Sequence, residues 1–510
     1  MELKKLVLAT AVFGALGGLY GCSGDEKAII TIDDNSVTTD NSTTTTTTTT
    51  NTGTDTANAG FYDDEAAIAA SIAAIPNSFE KTVSIINPAT GDEVAVTAVQ
   101  LPSSIVVDVT LDADVLYYMA DRVTVGNGNE SMSDTDGTLA DSSAVLNVTM
   151  TIEAGTRVLA AKSTFANLLI TRGSKIMAEG TADAPIIFSS DDTDFDGSSE
   201  WGGLIIHGYG LHNECAYPAT PTACNIDAEG ESGFSGGHDN TDSSGVLKYV
   251  VLAEGGYEFA PGDEINGISL VAVGSGTEMD YIQVHNNSDD GIEFFGGAVS
   301  AKHLVLTGNQ DDTLDWDEGY VGNLQYVLAI QSAATNGNTI EADTFGSADF
   351  LSEPTIMNAT FIGNGSQTYL HRLKEGTGAY IHSSIMTGAS GTIDTCIDMQ
   401  GADAIANASN GSIIYNQIIA DCTTFEEADG VATTALVDSG QATAISSVAA
   451  SLDSNYASTA AEATGVSAVT ASDYSSVAND AFFDATTFIG AVNPDGSDLW
   501  FQGWILDGSL

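Results

Sequence analysis

From about Val115 onward the chain is built of short β-branched and apolar runs separated by Gly, Asn and Asp, with no helical period sustained long enough for alternating strand–helix units. The runs recur. Leu247-Lys248-Tyr249-Val250-Val251-Leu252, Met279-Asp280-Tyr281-Ile282-Gln283-Val284, Ala301-Lys302-His303-Leu304-Val305-Leu306 and Leu324-Gln325-Tyr326-Val327-Leu328-Ala329 read as equivalent strands, and further copies follow at 358–362 and 382–386. Tyr281 and His303 are 22 residues apart, His303 and Tyr326 23. A period of 22–24 residues made of strands and turns predicts an all-β fold, a right-handed parallel β-helix, in which no coil buries its inward face until a neighbour stacks on it. Leucine-rich repeats share the period but need Leu at fixed spacing and an Asn ladder, and antiparallel sandwiches have no reason to hold a fixed phase.

The flanks carry different patterns. Residues 64–75 have helical composition that stops near Pro76, so 61–114 is expected to cap the start of a coil spanning 115–424. Residues 425–510 are Ala/Ser/Thr-rich and then aromatic, without Lys or Arg; they predict some helix plus a cap over the last rung, because an open coil end is an aggregating edge. Binding through exposed Phe501 or Trp504 is the lesser alternative. Residues 22–60, with an unbroken Thr run from Thr43 to Thr50, lack the apolar side chains for a core and read as a flexible tether. Before them, Lys4 and Lys5 lead an apolar stretch of signal-peptide length, residues 1–21. Its end, Leu19-Tyr20-Gly21-Cys22, resembles a bacterial lipobox, which implies that Cys22 is lipidated and becomes the new N-terminus. Ser23 implies passage to the outer membrane. The expected location is the cell envelope, periplasmic or surface-exposed, with the lipid as the membrane contact.

Charge narrows the partners. Thirteen Lys and Arg face 70 Asp and Glu, a formal net charge of −57. Phosphate binding needs cationic side chains to displace counterions, so nucleic acid is excluded as an electrostatic partner, and anionic membrane surfaces are disfavoured likewise. Cations are attracted. Cys215, Cys224, Cys396 and Cys422 remain after lipidation, an even number for an oxidising compartment. Cys215 with Cys224 and Cys396 with Cys422 are the expected bridges; a four-thiolate metal site would need close Cys pairs that are missing.

Earlier rungs and the glycine-rich turns carry a family likeness. The segments IEAGT, LLITRGSKIMAEGTADAPIIFSS, WGGLIIHG, EINGISL, VGSGT, DDGIEFFGG and DDTLDWDEGYVG resemble a family of secreted bacterial right-handed β-helix lipoproteins, over roughly residues 115–400. Phe488-Ile489-Gly490-Ala491, Trp500 and Gly503-Trp504 resemble its closing segment. The resemblance implies fold and leaves activity open.

One constellation points to chemistry. Asp289-Asp290-Gly291-Ile292-Glu293-Phe294 aligns with Asp311-Asp312-Thr313-Leu314-Asp315-Trp316, every position offset by 22. In a coil that offset stacks Ile292 on Leu314 and Phe294 on Trp316 inside, and Glu293 on Asp315 outside. Glu341 is expected to continue the column with Asp343 beside Asp317, and Arg372 and Asp394 to follow. Carboxylates about 4.8 Å apart repel by about 3–4 kcal/mol at an effective dielectric of about 20. A raised pKa, screening or a hard cation must offset this, and calcium suits an all-oxygen set drawn from Asp290, Glu293, Asp312, Asp315, Asp317 and Glu341. Asp289 and Asp311 are expected to serve the turns instead.

Two functions follow. The leading one is a calcium-stabilised scaffold or binding module for a glycan or an envelope protein. The alternative is a polysaccharide lyase or glycoside hydrolase, with Asp312, Asp315 and Arg372 as the candidate catalytic groups. The segment Tyr369-Leu370-His371-Arg372-Leu373-Lys374 resembles the Arg-x-Lys element of pectin-cleaving hydrolases, and Asn309-Gln310-Asp311-Asp312 their paired Asp, but their Gly-His-Gly and spacing are missing. The simpler role for Arg372 is an ion pair within the column.

Overall fold

The structure, a computed structural model, describes residues 64–510 apart from 87–91, 193, 261–263, 333–334, 336, 345–349, 365–368 and 390–392. The signal segment, Cys22 and the tether lie outside the described residues.

The coil is a parallel β-helix with a 16-stranded and a 12-stranded sheet, every rung-to-rung pairing parallel from Ser104–Ile105 and Val109–Leu111 to Ala442–Ser446. In the early rungs the larger sheet takes two short strands per coil, such as Lys175–Glu179 and Ile186–Ser190. Both pair with the single long strand Gly245–Ala253, which bends between its halves at Tyr249. That bend repeats. Tyr249, Tyr281, His303, Tyr326, Asn358, Ser383, Gln417 and Ala444 all take left-handed backbone conformations, with φ between 48° and 61°, and fall between the paired halves of successive strands. A non-glycine residue in this region costs about 1–2 kcal/mol. The first four offset part of that cost by stacking, with ring centroids 4.3, 4.2 and 4.9 Å apart. The 22- and 23-residue spacing in the sequence is the spacing of this ladder.

Inside, the second sheet stacks Ile268, Ile292, Leu314 and Ile340 in one column and Leu270, Phe294, Trp316 and Ala342 in the next, all fully buried. Gly203 shows how tightly the rungs close: a Cβ there would lie 2.1 Å from the Asn266 carbonyl oxygen of the next coil.

The N-terminal end is closed as expected by a helix, Glu65–Ala74, capped by the Asp64 carboxylate, which accepts from the Ala66 and Ala67 amides. Its Ile68 joins the core, and the Ser71 hydroxyl meets the Tyr117 hydroxyl at 2.9 Å. Strand pairing begins ahead of Val115, because the antiparallel hairpin Phe79–Ile86 and Glu93–Gln100 already joins the larger sheet through Leu116–Met119.

In the C-terminal region the coil runs on past residue 424: Cys422–Ala428 and Ala442–Ser446 are further rung strands, and the short helix Ala435–Ser439 between them buries Leu436 in the core. The chain then returns along the outer side of the larger sheet. Outward amides hold it: Gln325 Nε2 donates to the Asp484 carbonyl, Asn358 Nδ2 to the Phe488 carbonyl, and Gln283 Nε2 to Ser509 Oγ while its oxygen accepts from the Leu506 amide. Trp500 and Trp504 pack edge-on or tilted against the His303, Tyr281 and Tyr249 rings and are 8% and 2% exposed, as Phe501 is 5% exposed, so none of them is an open binding surface. A sheet face lined with aromatic rings and amides has both a hydrophobic and a hydrogen-bonding demand, and the tail meets both.

Both disulfides are present, Cys215–Cys224 and Cys396–Cys422, each with Cα atoms 5.6 Å apart.

Candidate metal centre

Four short strands of the second sheet carry the acidic column: Ile292–Phe295, Leu314–Asp317, Ile340–Ala342 and Tyr369–Leu373. Their register sets Ser269, Glu293, Asp315, Glu341, Arg372, Asp398 and Glu427 side by side on one outward line. Alternation along each strand explains it, since the residues on either side point into the core. Arg372 therefore faces outward, and it is Asp398, not Asp394, that continues the line.

Asp290 and Asp312 reach the column from the turns just before their strands, 6% and 3% exposed. Three groups of carboxylates result, each with oxygens within 4.8 Å of one another: Asp290, Glu293 and Asp315; Asp312, Asp315 and Glu341; and Asp289, Asp290 and Asp311. Asp315 belongs to two of them. Turn chemistry extends further than expected: the Asp289 carboxylate accepts the Asp290 amide, Asp290 accepts that of Asp312 at 2.8 Å, and Asp312 that of Asn338. Asp289 and Asp311 also close the third group. Asp317 stands apart from all three; it is two residues along from Asp315, and its carboxylate accepts the Glu318 amide at 2.5 Å.

Electrostatics follow from crowding without enough counter-charge. Burial, then the neighbouring carboxylates, pushes Asp290, Glu293, Asp312 and Asp315 well above the usual carboxylate range, and Asp289 up to about 7. Among the described residues, counter-charge enters only at one end. Lys374 Nζ lies 2.8 Å from Glu341 and 3.5 Å from Asp343, and Arg372 is 3.6 Å from Glu341. Burial alone would lower the Lys374 ammonium, but Glu341, Asp343 and Asp315 outweigh it, so it is raised and stays charged. Arg372 also lies over the Tyr369 ring, 4.5 Å from its centroid. At the other end Asn266 Nδ2 donates to Glu293 at 2.6 Å and to Glu229 at 2.9 Å. Nothing in the repeat flags Glu229, which comes from the excursion between two rungs, or Asn266, which precedes its strand.

Three histidines are structural. His207, His371 and His382 are fully buried and their pKa values are pushed down to about 3, 3 and 4 by burial.

Residues 138–505 match the family model for a pectate-lyase like beta helix domain, more than half of the chain. The chain belongs to this family. Neither among curated proteins nor among solved structures does it find a match. For this pectate-lyase-like β-helix the match covers all of the acidic column and the returning tail as far as residue 505, and it leaves the choice between scaffold and enzyme open.

A hard cation fits the residues present. All donors are oxygens, and Asp315 Oδ1 is buried with no hydrogen-bond partner.

Proposed function

We propose that the carboxylate column is a calcium-dependent binding face for an anionic glycan, on a lipid-anchored protein of the cell envelope. The observation that carries this reading is the pair of carboxylate trios joined by Asp315 on the outward side of three adjacent rungs. Asp290, Glu293, Asp312, Asp315 and Glu341 would hold the cation. When bound, calcium supplies positive charge at a surface that otherwise repels acidic sugars. The chain's own −57 makes that charge necessary for such a ligand. Lys374 and Arg372, both protonated side chains at the head of the column, give the glycan carboxylate a direct partner. Lipidation at Cys22 and the 22–60 tether supply the anchor in this reading.

The test is a calorimetric calcium titration of the purified full chain, repeated with Glu293→Gln/Asp315→Asn, followed by an acidic polysaccharide with and without calcium. Saturable calcium binding lost in the double variant, and glycan binding that needs calcium, are the expected results. Calcium binding that survives the double variant refutes the assignment.

A second reading, cleavage of the glycan, draws on Asp312 and Asp315, which burial and the neighbouring carboxylates push well above the usual carboxylate range, the condition a proton-donating carboxyl needs. Lys374 stays protonated and so does not serve as the base. Incubation with polygalacturonate decides it: new reducing ends or an unsaturated, ultraviolet-absorbing product that vanish with Asp315→Asn establish an enzyme.

A further inference from the structure

Away from the acidic column, two excursions from the coil are locked together around a cavity of about 440 Å3. One comprises residues 126–148, the other residues 208–244 with the Cys215–Cys224 bridge and the hairpin Ile226–Ala228/Gly233–Ser235. The locking is extensive. Asn225 exchanges two hydrogen bonds with the Met132 backbone, at 2.7 and 2.9 Å, and the Phe234 amide donates to the Asn129 carbonyl at 2.7 Å. Behind them the fully buried Arg172 donates to the carbonyls of Gly128 and Glu130 in the first excursion and of Cys224 and Gly236 in the second. Among the described residues no carboxylate pairs with this guanidinium. A buried charge neutralised only by carbonyl dipoles is costly to fold around, and here it fixes the walls of the cavity.

The lining is rich in acceptors. Asp136, Asp239 and Asp242 contribute carboxylates, and no Lys or Arg lines the cavity. Asp239 and Asp242 each engage one oxygen internally, with Thr241 and with the Tyr209 amide, and the second oxygen of each has no hydrogen-bond partner among the described residues. His238 Nε2 lies 2.7 Å from the Thr222 carbonyl, so that nitrogen carries a hydrogen and donates it. The Tyr209 hydroxyl has no partner among the described residues, and Gly137 and Gly173 flank it, where a Cβ would come within 3.9 and 3.4 Å. Met132, Val145 and the Tyr209 ring add apolar surface.

We propose that this cavity binds a small aliphatic primary amine. Its ammonium is held by the carboxylates and the Tyr209 hydroxyl, and its hydrocarbon body lies on Met132, Val145 and the aromatic ring. An anionic sugar, the ligand assigned to the column, is repelled here. Preformed walls lower the ordering cost of binding, and charge-assisted hydrogen bonds to the lining carboxylates give the selectivity.

The probe is putrescine, titrated into the full chain by calorimetry in about 0.15 M NaCl, where charge attraction to the surface at large is screened. Saturable binding at one site is expected, weakened at least about tenfold by Asp136→Asn/Tyr209→Phe and unchanged by Glu293→Gln/Asp315→Asn. Calcium binding by the Asp136/Tyr209 variant reports that it is folded. Absence of saturable binding, binding indifferent to the Asp136/Tyr209 variant, or loss of binding with the column variant each overturns the proposal. The last two place any bound amine elsewhere on the acidic surface.

Discussion

The same coil presents two outward ladders with opposite fates. On the larger sheet, Tyr249, Tyr281, His303 and Tyr326, with Gln283, Gln325 and Asn358 near them, are covered by the chain's own C-terminal segment. On the smaller sheet, Glu293, Asp315 and Glu341 occupy the equivalent outward line, with two cations at one end. In both, parallel pairing stacks equivalent residues in register from rung to rung, the aromatic ladder at left-handed bends and the acidic one on extended strand. What differs is the side-chain chemistry: amides and aromatic rings have demands that a polypeptide backbone and two tryptophans satisfy, whereas a carboxylate ladder demands cations, and the segment after residue 424 contains none. An outward ladder on a coil thus specifies its own cover.

The contrast is most exposed to failure at Trp504. Trp504→Ala is expected to destabilise the fold by about 3–5 kcal/mol in denaturant unfolding, the loss of a buried tryptophan; a change below about 1 kcal/mol means the tail rests on the face without sealing it. On the other ladder the sign reverses. Asp315→Asn should weaken calcium binding by about 100-fold, since it serves two trios, while leaving the metal-free fold as stable or more so. A metal-free fold that is weakened instead makes Asp315 a structural hydrogen-bonding group.

Acidity separates the two ladders as well. Glu254 at the rung corner, pushed up to about 8 by burial and by Glu200 and Asp192, and Asp289, at about 7, hold protons in the folded chain that the unfolded chain has released. Their contribution is present in full below the ordinary carboxylate range and is lost as pH rises through these values. The buried histidines act oppositely, but their contribution is complete above about pH 6.5. Between pH 6.5 and 8.5 the metal-free protein should therefore lose on the order of 2 kcal/mol, readable as a falling Tm, and calcium should restore most at the alkaline end. A flat profile over that window refutes the proton-holding description. The smallest effect is expected from Gln283→Glu, which puts a carboxylate of the other ladder's kind under the tail. It removes the donor to Ser509 while keeping an acceptor for the Leu506 amide, for a loss of about 1 kcal/mol with the tail more open to protease.

Much of this was legible in the residues. The 22-residue offset between the Asp-Asp turns fixes the register of Glu293 on Asp315, and period-2 alternation fixes which side chains face out. Legibility fails where the turns lengthen. Ile340 pairs with His371 31 residues on, so the placement of Arg372 and Lys374 could not be counted out from the earlier rungs, and the expectation fell on Asp394 where Asp398 stands in the line. Glu229 and Asn266 were invisible because excursions carry no phase. The lateral course of the tail was equally hidden: Trp500 and Trp504 read as part of an end cap, and nothing local distinguishes an amide that will meet water from one that will meet a tail segment 159 to 226 residues away.

The amide clamp also sets an order of events during synthesis. Gln283 and its aromatic neighbours are made more than 200 residues before their partners at Leu506 and Ser509. Rungs that zip up from the N-terminal side as the nascent chain emerges must hold a sticky, ring-lined flank open until the final stretch arrives. A chain cut short near residue 480 would keep nearly all of its coil and yet display that flank, so a truncated product would betray itself by self-association rather than by lost secondary structure.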